Sequence, residues 1–134
     1  MARWLVKEEP ENYNYAQLEK DGSTVWAGVK NPLAQKHLRA IRKGDQIFYY
    51  HTGKEKAVVA TARAASDAYP DPKDSTSKAF VVDVAPGKRL PRPVTLAAIK
   101  ADKAFAQFAL VRMSRLSVMP VSADEWARIE QMSH

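Results

Sequence analysis

The chain has 134 residues with no cysteine, 46% apolar and 27% charged residues, and a formal net charge of +6. That length suits one ordinary domain, and the balance of apolar and charged residues is that of a folded globular chain, neither disordered nor fibrous. Without cysteine there are no disulfides, thiolate metal sites or thiol catalysis; no run of roughly 18 apolar residues could span a bilayer; and MARWLVKEEP turns acidic too early for a signal peptide, so a cytoplasmic location is expected.

The charge is unevenly placed. Residues 1–30 sum to −1, whereas residues 31–64 sum to +5, with Lys36, Arg39, Arg42, Lys43, Lys54, Lys56 and Arg63 against Asp45 and Glu55. A concentrated positive field is the electrostatic footprint of a polyanion partner, most commonly nucleic acid, or else a solvated basic face.

In chain order, Trp4-Leu5-Val6 reads as a short first strand closed by the acidic turn Glu8-Glu9-Pro10-Glu11-Asn12. Asn14 stands three residues before Gln17, the capping-box spacing, and predicts a helix over Tyr15–Lys20 that Asp21-Gly22-Ser23 stops. Asn31-Pro32 is a strong helix start, because Asn caps well and proline suits the first helical position. Leu33, Ala34, His37, Leu38 and Ile41 then share one face, with Lys36, Arg39 and Lys43 on the other, up to a stop at Lys43-Gly44.

Asp45–His51 reads as an aromatic strand, joined through Thr52-Gly53-Lys54 to a second strand over Ala57–Arg63. Lys78–Val84 reads as a third, after a polar loop at Tyr69–Ser75. Pro91-Arg92-Pro93 is expected to separate the sheet from a helix capped by Thr95 that runs to Lys100. Leu116–Val121 reads as a late strand, and Ser122-Ala123-Asp124-Glu125 as a capping box opening a terminal helix that buries Trp126 and Ile129. There is no repeat and no linker, so residues 1–134 form a single domain. Short strands interspersed with helices, without regular βαβ alternation, indicate an α+β fold around a small, mostly antiparallel barrel.

The five glycines, at 22, 28, 44, 53 and 87, form no phosphate-binding pattern, so nucleotide hydrolysis and dinucleotide chemistry are not indicated. His37, His51 and His134 lack carboxylates at metal-ligand spacing, so neither a metal nor a cofactor is expected. His51 with Ser114 or Ser117 has no nucleophile elbow to support serine catalysis. Trp126 and Trp4 read as core. Trp26, in the irregular stretch Val25–Val29, has two readings: a plug at the end of the barrel, or a flat π-face for stacking a base.

Several motifs then appear in a consistent order. They are Trp4 with Lys7-Glu8-Glu9-Pro10, Tyr13, Trp26-Ala27-Gly28-Val29-Lys30-Asn31, Ala34, Gly44-Asp45, Phe48-Tyr49-Tyr50-His51, Ala68-Tyr69-Pro70-Asp71, Pro93-Val94 with Leu96, and Arg115-Leu116-Ser117-Val118 with Pro120. Together they resemble the EVE domain, a PUA-like domain related to the YTH and ASCH domains. Two positions depart from that pattern, with Glu8 and Asn14 where the family commonly has serine.

The resemblance implies a PUA-like mixed or antiparallel barrel flanked by helices, and a module that reads a modified or flipped base of DNA or RNA. It implies a base pocket lined by Trp26, Val29, Asn31, Tyr49, Tyr50, His51, Arg115, Leu116 and Ser117. Strand alternation puts Tyr50 on the opposite face from Tyr49 and His51, so the three cannot enter the pocket equally. Lys30, Lys36, Arg39 and Lys43 would hold phosphates without reading sequence. An alternative is a small ASCH-type amidohydrolase of a modified nucleoside, with Lys7, Glu9 and Ser117 converging; a third is a nonspecific RNA-binding module.

Overall fold

The computed structural model describes every residue except Ser77. The chain enters as β1 (Arg3–Glu8), turns through a four-residue helix α1 (Pro10–Tyr13), and continues into α2 (Tyr15–Asp21), β2 (Thr24–Trp26) and α3 (Pro32–Arg39). The hairpin β3 (Gln46–His51) and β4 (Ala57–Ala64) follows, then the short β5 (Tyr69–Pro70) and the long β6 (Phe80–Thr95). The chain closes with α4 (Leu96–Lys100), a 3-10 turn at Lys103–Phe105, α5 (Ala109–Arg112), β7 (Val118–Pro120) and α6 (Ala123–Met132).

Among the described residues seven strands form one mixed sheet in the order β2-β6-β4-β3-β1-β7, with β5 on β6, curled into a half-barrel of α+β, PUA-like type. Only β1 and β3 run parallel; the other pairs are antiparallel. A parallel pair needs a crossover, and α1, α2, β2 and α3 supply it, so the polypeptide between Glu9 and Asp45 must cover one face of the sheet.

That face and the opposite one carry different chemistry. Val6 stands opposite Tyr49, and Lys7 opposite Tyr50. Because side chains alternate across a strand, Tyr49 and His51 face the crossover while Phe48 and Tyr50 face the C-terminal helices. On the second face Phe48 stacks on Trp126 of α6, with ring centroids 3.6 Å apart.

The helix starts expected from the sequence form by local bonds. Asn14, Asn31, Thr95 and Ser122 each accept the backbone N–H three residues on. The Ser122 box is reciprocal, with Glu125 bonding back to the Ser122 amide at 2.9 Å.

Four boundaries differ from the sequence reading, each for a tertiary reason. The stretch expected to be an acidic turn contains α1. α3 ends at Arg39 rather than Lys43, because the buried Asp45 carboxylate draws the next turn inward. It accepts from Trp4 Nε1 (2.9 Å), the Arg42 amide (2.9 Å) and the Ala2 amide (3.1 Å).

The expected break at Pro91-Arg92-Pro93 is part of β6. Its partners step from Val58 opposite Val94 to Ala60 opposite Arg89, so the prolines lie in a bulged stretch where a missing N–H costs no ladder bond. The late strand shrinks to Val118–Pro120, and α5 forms ahead of it.

Candidate nucleic-acid interface

Trp26 is the last residue of β2, paired with Val82, and not part of a loop. Its ring is 5% exposed and meets Tyr49 edge-on, centroids 5.5 Å apart at 83°. Tyr49 also makes edge contacts with Tyr15 (5.4 Å) and His51 (5.6 Å), and its hydroxyl donates to the Tyr13 carbonyl at 2.7 Å. Burial, with the Glu8 carboxylate second, pushes the Tyr49 phenol well above its ordinary range, so it stays a neutral donor.

His51 is buried with both ring nitrogens engaged. Nε2 accepts the Tyr15 amide at 3.1 Å, and Nδ1 meets Glu55 Oε1 at 2.7 Å, which assigns the proton to Nδ1. Trp26, Tyr49, His51 and Tyr15 therefore form a packed aromatic cluster in which His51 has no nitrogen free for a ligand. The platform expected of Trp26 is nearly closed over.

The chain leaving this cluster is open. Ala27 and Gly28 are exposed, and Gly28 sits at φ +78° with free space around it, a conformation that favours glycine. Gln35, only 8% exposed, pins the segment: its Nε2 donates to the Val29 carbonyl (2.7 Å) and the Phe80 carbonyl (3.1 Å), and its Oε1 accepts the Phe80 amide (3.0 Å). Sequence reasoning passed over Gln35. The available signal was a glutamine between Ala34 and Leu38 on a helix face otherwise destined for the core.

Gln35→Ala leaves those backbone groups without their partner, and is expected to lower stability by about 2–3 kcal/mol. It is also expected to speed hydrogen exchange of the Phe80 amide. A calorimetric melt and amide-exchange NMR test this; unchanged Phe80 protection would show that Gln35 does not hold the segment.

Among the described residues, three of the surface grooves are lined by cations and no carboxylate, whereas two others near Lys54 and Glu55 include acidic residues. The first of the three, about 370 Å³, is lined by Asn31, Leu33, Arg112, Met113, Ser114, Arg115 and Leu116, so three expected site residues do meet there. Asn31 Oδ1 is committed to capping α3 through the Ala34 amide (3.0 Å), which leaves its amide NH₂ to donate outward. Met113, 44% exposed, offers an apolar surface in the same groove.

The second, about 700 Å³, runs along α3 between Lys30, Pro32, Gln35, Lys36, Arg39, Ala40 and Lys78. The third, about 250 Å³, contains Lys7, Tyr50, Lys56, Lys100 and Ser114, and shares Ser114 with the first. Nine lysines and arginines line the three grooves, and no aspartate or glutamate among the described residues does.

Some expected site residues fall elsewhere. Tyr50 is on the other face of the sheet from Tyr49. Lys43 lies beyond the end of α3, its amide bonded to Asp67 Oδ1 at 2.8 Å, so it does not extend the helix's basic face. Arg39 belongs to the second groove but is held, its guanidinium 4.8 Å from the Phe80 ring centroid and donating to the Lys78 carbonyl. Ser117 contributes its carbonyl to the Lys7 amide at 3.0 Å.

Lys7 Nζ donates to the Ser114 carbonyl (3.0 Å), whereas the Glu9 carboxylate accepts from the Thr52 hydroxyl (3.3 Å). Among the described residues no hydrogen bond joins the side chains of Lys7, Glu9 and Ser117, so the amidohydrolase arrangement gains no geometric support. Among the described residues no helix is long and apolar enough to cross a membrane.

A mixed sheet curled into a half-barrel with helices around it defines a small PUA-like domain. The chain belongs to the EVE domain family, matching it over residues 2–132. It is 44% identical to a Rhodopseudomonas palustris protein of known solution structure, with TM-score 0.94 over 99% of this chain and 93% of that one.

Human thymocyte nuclear protein 1 is 28% identical over 93% of this chain and 71% of its own length. A crystal structure of the human THYN1 protein in complex with 5-methylcytosine containing DNA matches with TM-score 0.88 at 26% identity. That match covers 100% of this chain and 98% of the other.

Proposed function

We propose that this EVE domain binds nucleic acid and takes an unstacked, modified base into the groove headed by Asn31. The observation that carries this reading is the run of three adjoining grooves lined by cations without a carboxylate, a surface that attracts a polyanion and repels other proteins' basic faces. The likeness to a relative solved with 5-methylcytosine containing DNA supports it.

In this reading Asn31 donates its free amide hydrogens to the base edge. Leu33, Met113 and Leu116 supply apolar contact, and Arg115 stacks on or bonds the base. Val29 and Ser117 border the entrance. The buried cluster of Trp26, Tyr49 and His51 acts as a rigid floor fixing Ala27 to Asn31. Lys30, Lys36 and Arg39 hold phosphates and set register without reading sequence.

Fluorescence anisotropy at fixed salt, over matched DNA and RNA oligonucleotides with cytosine or 5-methylcytosine, single- and double-stranded, tests the reading. At least one modified strand is expected to bind about tenfold more tightly than its unmodified match, equivalent to roughly 1.4 kcal/mol. Equal affinity across every matched pair would reduce the domain to a nonspecific binder, and no binding would remove the nucleic-acid reading.

A further inference from the structure

We propose that the cleft of Lys7, Lys56 and Lys100, on the opposite face of the sheet from the Trp26 cluster, is a binding site for a terminal phosphate, a phosphomonoester. The cleft is lined by those three lysines with Tyr50, Thr52, Gly53, Leu96, Leu110 and Ser114. Three elements far apart in sequence bring the three lysines to one cleft: β1 carries Lys7, the turn before β4 carries Lys56, and α4 carries Lys100.

Like charges repel, and no carboxylate among the described residues lines this cleft. Glu55 borders the adjoining groove that shares Lys56, Leu96 and Lys100, and Glu9 approaches Gly53, but each is engaged, Glu55 with His51 Nδ1 and Glu9 with the Thr52 hydroxyl. The floor is Tyr50, whose ring lies 5.7 Å from Lys7 Nζ, and among the described residues that ammonium donates one hydrogen bond, to the Ser114 carbonyl. Burial lowers the Lys7 pKa, the response of a cation that has lost water without gaining an anion. Lys56 is held at φ +45°, a left-handed backbone that lysine rarely adopts; strain of this kind clusters at sites where geometry matters.

Charge and size select the ligand class. A phosphomonoester carries about −1.5 to −2 at neutral pH and three terminal oxygens, enough to meet three ammonium groups, while the Thr52 hydroxyl stays with Glu9. A backbone diester has a single negative charge and a chain that must leave in both directions, which suits the larger neighbouring grooves of about 370 and 700 Å³ better than this cleft of about 250 Å³. Two sources share the chemistry: the phosphorylated end of a strand whose body crosses the Ser114 ridge, and a free nucleotide.

The test uses the full chain labelled with ¹⁵N, cytidine 5′-monophosphate against cytidine, and one oligonucleotide with a 5′-phosphate against its 5′-hydroxyl counterpart. The phosphorylated member of at least one pair is expected to bind about tenfold more tightly and to shift the Lys7, Tyr50 and Thr52 amides. Lys100→Ala with Lys56→Gly, the glycine chosen to keep the left-handed backbone, is expected to abolish the gain and change affinity for the hydroxyl partner less than twofold.

A gain in the oligonucleotide pair alone assigns the strand end, and a gain in the mononucleotide pair assigns a free nucleotide. The second result stands even if no oligonucleotide binds, so the cleft can succeed where the base-reading proposal fails. Indifference to the phosphate in both pairs, or a gain that survives the double variant, would overturn the site.

Discussion

Trp26→Ala is expected to cost about 3–5 kcal/mol of folding stability, the range for truncating a buried aromatic, and to lower Tm by roughly 10–20 °C for a domain of this size. The ring is 5% exposed, backs onto Val82 across the β2–β6 pair, and presents its face or edge to Tyr49 at 83°. Removing it opens a void in a cluster whose other rings are already fixed: Tyr49 by its bond to the Tyr13 carbonyl, His51 by Tyr15 and Glu55. The neighbours therefore cannot collapse to fill the space. Trp26→Phe keeps much of the contact and is expected to recover most of the stability.

Calorimetry of the two variants decides the role of this residue. A loss of only a few degrees in Trp26→Ala, together with abolished binding, would make the ring an open platform. The expected large loss makes it a floor whose contribution to binding is to hold Ala27 to Asn31 in place. Binding measurements on Trp26→Ala then have meaning only well below its lowered melting point.

Reversing Lys30 and Lys36 to glutamate is expected to weaken nucleic-acid binding more than tenfold while changing Tm by a few degrees at most. Both residues are exposed in the second groove, and among the described residues neither takes part in an ion pair or side-chain hydrogen bond. Each phosphate contact contributes about 0.9 to the slope of log affinity against log salt on duplex DNA, so losing two lowers the slope by about 2. Arg39 is a poorer choice, because its guanidinium also packs on Phe80 and bonds the Lys78 carbonyl, and its loss would mix folding with binding. An unchanged salt slope in the Lys30 and Lys36 double variant would move the phosphate track off α3.

The ordered motifs from Trp4 to Pro120 were enough to place the chain in its family, and the basic stretch after residue 30 was enough to expect a polyanion. The site was less legible. Asn31, Arg115 and Leu116 do meet in one groove, but Arg112, Met113 and Lys78 carry no signal beyond being surface residues until the end of α5 and the approach to β6 are folded beside α3. Lys7, Lys56 and Lys100 are nearly a hundred positions apart at the extremes, and only the fold makes them one cleft.

The sequence by itself determined what depends on neighbours along the chain. Asn14, Asn31, Thr95 and Ser122 start helices because their side chains reach an amide three residues away, and Phe48 and Tyr49 face opposite sides because a strand alternates. Tertiary structure decided what depends on distant partners. It ended α3 at Arg39 through a carboxylate at Asp45 that also binds Trp4, and carried β6 through three prolines by bulging opposite β4. It also closed Trp26 beneath Tyr49, since burial of a side chain is settled by what packs against it and those rings come from other elements.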